Sequence, residues 1–296
     1  MEIAQQDKNV IYLTADSGEG GLDLMFRRNF PDRAFDFGIA EENMVAAAAG
    51  LATAGKRPFI YTAAPFLAYR TFEFIRNDIC LQNVNVKLIG TGSGLSVSTL
   101  GPTHHTTEDI GILRTLPGLT IFSPATPIQA YACMFAAWRV EGPVYIRLGL
   151  NREREFLKEG YTLKKLDIIR EGEKIIIITT GSILEEVVQA AEMLEQNVGS
   201  VKVINVPVIK RINIKPIVED MKKAKLVCVV EEHNVLGGLG TIIVDEINKA
   251  NCVIPIFKIG LEDSFSVGYG ELKQVRKENG LDAESIYKKV AVKYNE

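Results

Sequence analysis

Glu41 opens the run Glu41-Glu-Asn-Met-Val-Ala-Ala-Ala-Ala-Gly50, a carboxylate at the mouth of a segment that is otherwise almost wholly apolar. Acids are common in a first helical turn because the helix dipole favours negative charge there, so Glu41 and Glu42 could be decoration. A body of Met, Val and Ala behind the carboxylate is also what a ligand would need to meet an acid in a dry setting, where one positioned carboxyl can share a proton. A second cluster is Gly92-Ser-Gly-Leu-Ser-Val-Ser-Thr-Leu-Gly-Pro-Thr-His-His105, small and polar residues that end in adjacent imidazoles. Imidazole moves protons near neutral pH. A lone loop histidine usually marks only a surface, but two inside a Gly-Pro-Thr frame, after a predicted strand, point to chemistry, for His104 first and His105 second. A third block, Val230-Glu-Glu-His-Asn-Val-Leu-Gly-Gly-Leu-Gly240, runs from a strand into a helix, and its glycines could bring backbone N–H groups to an anion. Its spacing is not that of a dinucleotide loop, and His233 reads as a packing or interface residue.

These groups need a frame. Near-continuous apolar, β-branched runs at Val10–Ala15, Pro58–Thr62, Val86–Gly90, Leu119–Ser123 and Val144–Leu148 read as strands. Helices are expected between them at Glu42–Ala54, Phe66–Cys80, Thr107–Thr115 and Pro127–Val140. The charged stretch from Asn151 to Lys165 breaks the rhythm, and the theme then resumes. Strands are predicted at Lys174–Thr180, Lys202–Val206, Leu226–Glu231 and Ile254–Ile259, with helices at Ile183–Glu195, Ile214–Lys223 and Leu239–Asn248 and a polar helical end from Gly270. The expectation is an α/β chain of two consecutive domains with mainly parallel sheets covered by helices, at 1–155 and 169–296, joined by a linker at 156–168.

Composition narrows the function. The 296 residues suffice for two ordinary cores, 47% are hydrophobic and 24% charged, and the net charge is -3. No basic stripe suits a nucleic-acid partner and no run approaches a membrane span. The N-terminus shows no signal-peptide pattern. Cys80, Cys133, Cys228 and Cys252 form no CxxC pair and read as structural thiols of a reducing cytoplasm.

The block Asp36-Phe-Gly-Ile-Ala-Glu-Glu-Asn-Met44, followed at similar spacing by Gly101-Pro-Thr-His-His-Thr-Thr-Glu-Asp109, resembles the thiamine-diphosphate signature and substrate loop of the transketolase family. The resemblance covers nearly the whole chain. It implies a thiamine-diphosphate-dependent enzyme that moves a two-carbon ketol unit from a ketose donor to an aldehyde or keto-sugar acceptor. It assigns Glu41 to activation of the cofactor's aminopyrimidine, Phe66 and then Tyr69 to the aromatic wall that holds that ring, and His104 to substrate. His105, where the family usually has Gln, and Arg147 are expected to touch substrate. Glu108 also matches a family carboxylate, although helix capping with Thr106 or Thr107 accounts for it equally well. Arg76-Asn77 matches as well, without an assigned role.

The same resemblance shows what is missing. No Gly-Asp-Gly, the family's diphosphate and Mg2+ motif, occurs in the sequence, and the family's usual first helix is not expected ahead of Val10. The chain therefore resembles the C-terminal half of a transketolase, with the Mg2+ ligands on a separate N-terminal subunit. A heterotetramer built on a dimer of this chain is expected, inactive without that partner. Two departures concern the substrate. Leu100 stands where many members have an acid that binds a sugar hydroxyl, and Leu150 where a phosphate-binding Arg is usual. These imply an atypical acceptor: a deoxy sugar, a keto sugar or a nucleotide-linked one. Rival readings are a deoxyxylulose-phosphate synthase-like or 2-oxoacid-decarboxylating subunit, and a non-catalytic regulatory or scaffold subunit.

Overall fold

The β-branched runs become the centres of two sheets. The computed structural model describes residues 1–17, 21–150 and 153–296, so the first two residues of the charged stretch Asn151–Lys165 lie outside the described residues. The first sheet contains β1 (Val10–Thr14), β2 (Ala34–Asp36), β3 (Arg57–Ala63), β4 (Lys87–Thr91), β5 (Thr120–Phe122) and β6 (Val144–Leu148), in the spatial order β2-β1-β3-β4-β6-β5. All its pairings are parallel. The second contains β7 (Asp167–Arg170), β8 (Ile175–Thr179), β9 (Val201–Asn205), β10 (Leu226–Asn234) and β11 (Ile256–Leu261), in the order β11-β10-β8-β9-β7. There β7 alone runs antiparallel, against β9. Every residue of β8, four isoleucines and a threonine, is buried, as a central strand covered on both faces requires.

Several elements differ from expectation. A short helix occupies Glu2–Gln6, ahead of Val10, where none was expected. The edge strand β2 carries no buried residue and so gives no alternating pattern. The residues Asp167 and Ile168 of the expected linker already belong to the second sheet, as the start of β7. The segment Phe66–Cys80, expected as one helix, is two wider π-type turns at Phe66–Arg70 and Ile75–Cys80 flanking one α turn at Phe72–Phe74. Such widening is common beside functional sites because it re-aims side chains. The helix expected at Thr107–Thr115 is shorter, Asp109–Leu113, with Glu108 rather than a threonine at its N-cap position. The polar C-terminal end is two helices, Leu272–Glu278 and Ala283–Asn295, which bury Val275, Arg276, Ile286 and Val290.

The two sheets share one core. Leu13, Ile60 and Leu88 of the first belong to the same buried apolar cluster as Ile176, Ile178 and Val229 of the second. Backbone bonds stitch the seam: Ser123 N–H donates to Pro207 O (2.8 Å), Ile209 N–H to Ile121 O (3.0 Å) and Asn234 N–H to Thr107 O (2.7 Å). The segments that follow the carboxyl ends of β2, β3, β4 and β6 carry Glu41, Phe66, the histidine loop and Leu150 in turn. That is the edge at which open parallel sheets bind ligands.

Candidate active site

Glu41 is positioned by the turn that follows β2. The carboxylate of Asp36 accepts from the N–H groups of Asp16 (3.0 Å) and Gly38 (2.9 Å), closing the corner before the helix Glu41–Thr53 starts. That helix buries Glu41, Met44, Val45, Ala48 and Ala49. Glu41 is only 2% exposed, and its Oε2 accepts from Arg70 Nη1 at 2.6 Å. The second oxygen, Oε1, accepts nothing from the described residues. Arg70 in turn lies over the Phe66 ring, 4.9 Å from its centroid, and Phe66 meets the His104 ring edge-on at 5.2 Å and 73°. Glu41, Arg70, Phe66 and His104 therefore form one contiguous row drawn from three separate segments. Arg70 was not expected in it. Its signal was a charged residue four positions after Phe66 in a largely apolar run.

The histidine loop leaves β4 and folds back on itself through a short bridge between Gly94 and Thr106. The N–H groups of His104 and His105 both donate to Gly101 O, at 2.9 and 3.2 Å. From this tight turn the two imidazoles diverge. His104 is half-buried beside Phe66, with Nδ1 2.9 Å from Thr103 Oγ1. His105 is 3% exposed, with Nδ1 2.6 Å from Ser266 Oγ of the second domain, and its Nε2 is buried without a partner. Burial lowers the pKa of His105 below the ordinary imidazole value, against the opposing charge of Glu232.

Three residues expected at the site are committed elsewhere. Arg147 is 2% exposed; its Nε donates to both oxygens of Asp109 (3.1 and 2.9 Å), and its Nη2 to the carbonyls of Thr106 and Glu232 (3.0 and 2.9 Å). It ties the domains together, and the substrate role expected of it finds no open face here. Tyr69, expected as a second ring wall, instead donates its hydroxyl to Glu108 (2.6 Å) and accepts from Glu108 N–H (3.1 Å). Burial of that hydroxyl, then the charges of Asp109 and Glu108, raise its pKa above the usual phenol value. His105 faces the second domain rather than the row that holds His104. Arg76 and Asn77 bond to each other (2.6 Å) at the surface.

The glycine block of the second domain is closed to an outside anion. The carboxylate of Glu231 already accepts from Leu239 N–H (2.6 Å) and Gly240 N–H (2.9 Å), the helix-start donors that an anion would use. His233 is 1% exposed; it accepts from Gly111 N–H (3.2 Å) and spans the domain seam. Leu100 and Leu150 are each 52% exposed, so the two substrate-side departures leave apolar surface near the histidine loop. Among the described residues, no group of three or more His, Cys, Asp or Glu side chains could hold a metal, and no helix is long and apolar enough to cross a membrane. The four cysteines are unpaired, and burial pushes the Cys80 thiol up to about 11.

Chemically, the row offers a buried carboxyl with one oxygen to spare, an aromatic face and a half-exposed imidazole. A flat heteroaromatic ligand with a ring nitrogen would use the first two, and the third would meet whatever reacts on it. Comparison with known proteins gives the family. The family profile "Transketolase, pyrimidine binding domain" matches residues 1–152, and "Transketolase, C-terminal domain" matches residues 164–286. An apulose-4-phosphate transketolase subunit of Actinobacillus succinogenes is 36% identical over 280 residues, covering 94% of this chain and 90% of the relative. A 6-deoxy-6-sulfo-D-fructose transketolase subunit of Clostridium sp. is 32% identical, covering 97% and 89%. A solved structure described as "Split gene transketolase, inactive beta4 tetramer" superposes with a TM-score of 0.87 at 32% identity, covering 100% of this chain and 95% of that one. The chain belongs to the transketolase family and spans its pyrimidine-binding and C-terminal domains.

Proposed function

We propose that this chain is the C-terminal subunit of a split, thiamine-diphosphate-dependent transketolase, completed by a separate subunit that binds the diphosphate and carries the Mg2+ ligands. The observation that carries this reading is the buried carboxyl of Glu41, continuous through Arg70 and Phe66 with His104. When bound, thiamine diphosphate supplies an acidic thiazolium carbon able to add to a ketose carbonyl and release a two-carbon ketol unit to an acceptor. Glu41 would hold the proton shared with the pyrimidine edge through Oε1, while Arg70 fixes the carboxyl through Oε2. Phe66 would present its ring to the pyrimidine face. His104, with Nδ1 on Thr103, has Nε2 left to hold or move a proton at a substrate oxygen.

The description of the structural relative as an inactive tetramer of one subunit type supports the need for a partner, and a dimer of this chain within a heterotetramer is the assembly we infer. The two relatives are named for different sugars, so neither substrate is carried over. The exposed Leu100 and Leu150 favour an acceptor without a phosphate at that end, such as a deoxy, keto or nucleotide-linked sugar.

The test is ketol transfer by this chain alone, by a diphosphate-binding transketolase subunit alone, and by the two mixed with thiamine diphosphate and Mg2+. Activity should appear only in the mixture. Full activity from this chain alone would contradict the reading. Consumption of pyruvate with release of carbon dioxide would replace transketolase with a decarboxylating enzyme. In an acceptor screen, strong turnover with ribose 5-phosphate and none with unphosphorylated or nucleotide-linked sugars would contradict the acceptor class.

A further inference from the structure

We propose that the second domain sets the geometry of the active site through its Ser264–Gly270 segment, which clamps the histidine loop, so that His105 and Ser266 are positioning residues for His104 rather than substrate contacts. This rests on the reading of His104 as the substrate-facing histidine.

The burial pattern of the segment is the first sign. Phe265 is 83% exposed, Val267 54% and Tyr269 68%, yet Ser266 between them is 3% exposed. The one small polar residue is turned inward, and what it meets is His105 Nδ1 at 2.6 Å. A segment held only by its apolar residues would bury those and expose the serine.

Further contacts from the second domain grip the same loop. Gly270 N–H donates to Ser98 O at 3.0 Å. Gly101, at φ +73°, lies so close beneath the Tyr269 ring that an added Cβ would fall 2.0 Å from Cε1. Only glycine combines that left-handed backbone with that approach. At the loop's start, Leu95 N–H donates to Glu232 Oε2 (3.4 Å), and an added Cβ on Gly94 would fall 2.4 Å from the same oxygen. At its end, Asn234 N–H donates to Thr107 O (2.7 Å). Residues 94–107 are thus fixed at both ends and in the middle by the second domain, which places no side chain in the row of Glu41, Arg70, Phe66 and His104.

Adjacent residues on this turn point opposite ways. His104 and His105 share one acceptor, Gly101 O, so a shift of the buried ring is transmitted to its neighbour through a single peptide unit. Position matters because displacements near 1 Å at a reacting group can cost ~10²-fold in rate, and a contact that only orients the loop should cost less.

The experiment separates the two ring nitrogens of His105. Asparagine places its amide near the position of Nδ1, and glutamine reaches that of Nε2. In the enzyme reconstituted with its diphosphate-binding subunit, Ser266→Ala and His105→Gln should each lower kcat about 5–10-fold with little change in donor KM, the mark of an interaction made only in the transition state. His105→Asn, which keeps the bond to Ser266, should lose only about 2–3-fold. In the chain alone, imidazole NMR of Ser266→Ala should move the ring signals of His104 as well as those of His105. The proposal is overturned if His105→Gln is near wild type while His105→Asn fails, because His105 would then act through Nε2. It is also overturned if Ser266→Ala leaves both kcat and the His104 signals unmoved. Absence of ketol transfer in every protein, wild type included, would sink the functional reading instead, and the NMR of the chain alone would still decide the clamp.

Discussion

Two regions of this molecule bury carboxylates, and they do so in opposite ways. At the domain seam, Asp109 is fully buried and accepts from Tyr145 Oη (2.8 Å) and twice from Arg147 Nε. Glu232, 1% exposed, accepts from Arg276 Nε (2.5 Å), Ser182 Oγ (3.0 Å) and Leu95 N–H. At the row behind β2 and β3, Glu41 is nearly as buried but accepts from one partner, Arg70, whose side chain is 40% exposed. A buried charge with its acceptor capacity filled from within is a structural tie, because either partner left alone carries an uncompensated desolvation cost. A buried charge with capacity to spare is the better candidate for a ligand. Burial alone does not separate the two; the tally of donors does.

The contrast breaks most sharply on Arg147. Arg147→Met leaves the Asp109 carboxylate buried with the Tyr145 hydroxyl but without its guanidinium counter-charge, and should lower the unfolding free energy by roughly 3–5 kcal/mol, read from urea midpoints. A loss below ~1 kcal/mol would mean that the seam is not held as described. The pH dependence comes next. Burial alone would raise the pKa of Glu232, but the Arg276 and Arg147 guanidinium groups overcome it and hold the carboxyl below the ordinary value of 4.5. With the folded pKa depressed, this contribution is fully present above about pH 4.5 and is lost as pH falls through the lower folded value. Unfolding midpoints from pH 6 down to 3 should fall accordingly in the wild type and less steeply in Glu232→Gln; equal slopes would contradict it. On the other side of the contrast the effects are small. Tyr69→Phe removes a hydroxyl that Glu108 uses twice and should cost about 1 kcal/mol in the same assay. Glu41→Ala frees an arginine that water can solvate and should cost under ~1 kcal/mol.

How much of this was legible in the sequence follows the same division. The strands β1, β3, β4, β6 and β8 announced themselves because a doubly covered strand is a short, unbroken apolar run. The exposed edge strand β2 and the antiparallel β7 carry no such pattern. The π-type turns at Phe66–Cys80 could not be told from an α-helix, since segments of five and six residues are too short to distinguish the two periods. Glu41, Phe66 and His104 could be proposed from the sequence because each sits in a local motif whose neighbours fix its setting, and the fold brings the three into one row. The tie that Arg147 makes was not legible because its partner, Asp109, lies 38 positions away and only the folded seam brings them together. His105 was grouped with His104 by adjacency, whereas a tight turn sends neighbouring side chains apart. Arg70 became visible only once Glu41 and Phe66 were in place around it.

The most direct test is ketol transfer by Glu41→Ala in the reconstituted two-subunit enzyme, with its melting temperature measured alongside. Transfer should fall by ~10²–10⁴-fold while the melting temperature stays near that of the wild type. Transfer at the wild-type rate would show that the spare carboxylate oxygen of Glu41 serves no cofactor, and would leave the chain a structural subunit of the transketolase fold.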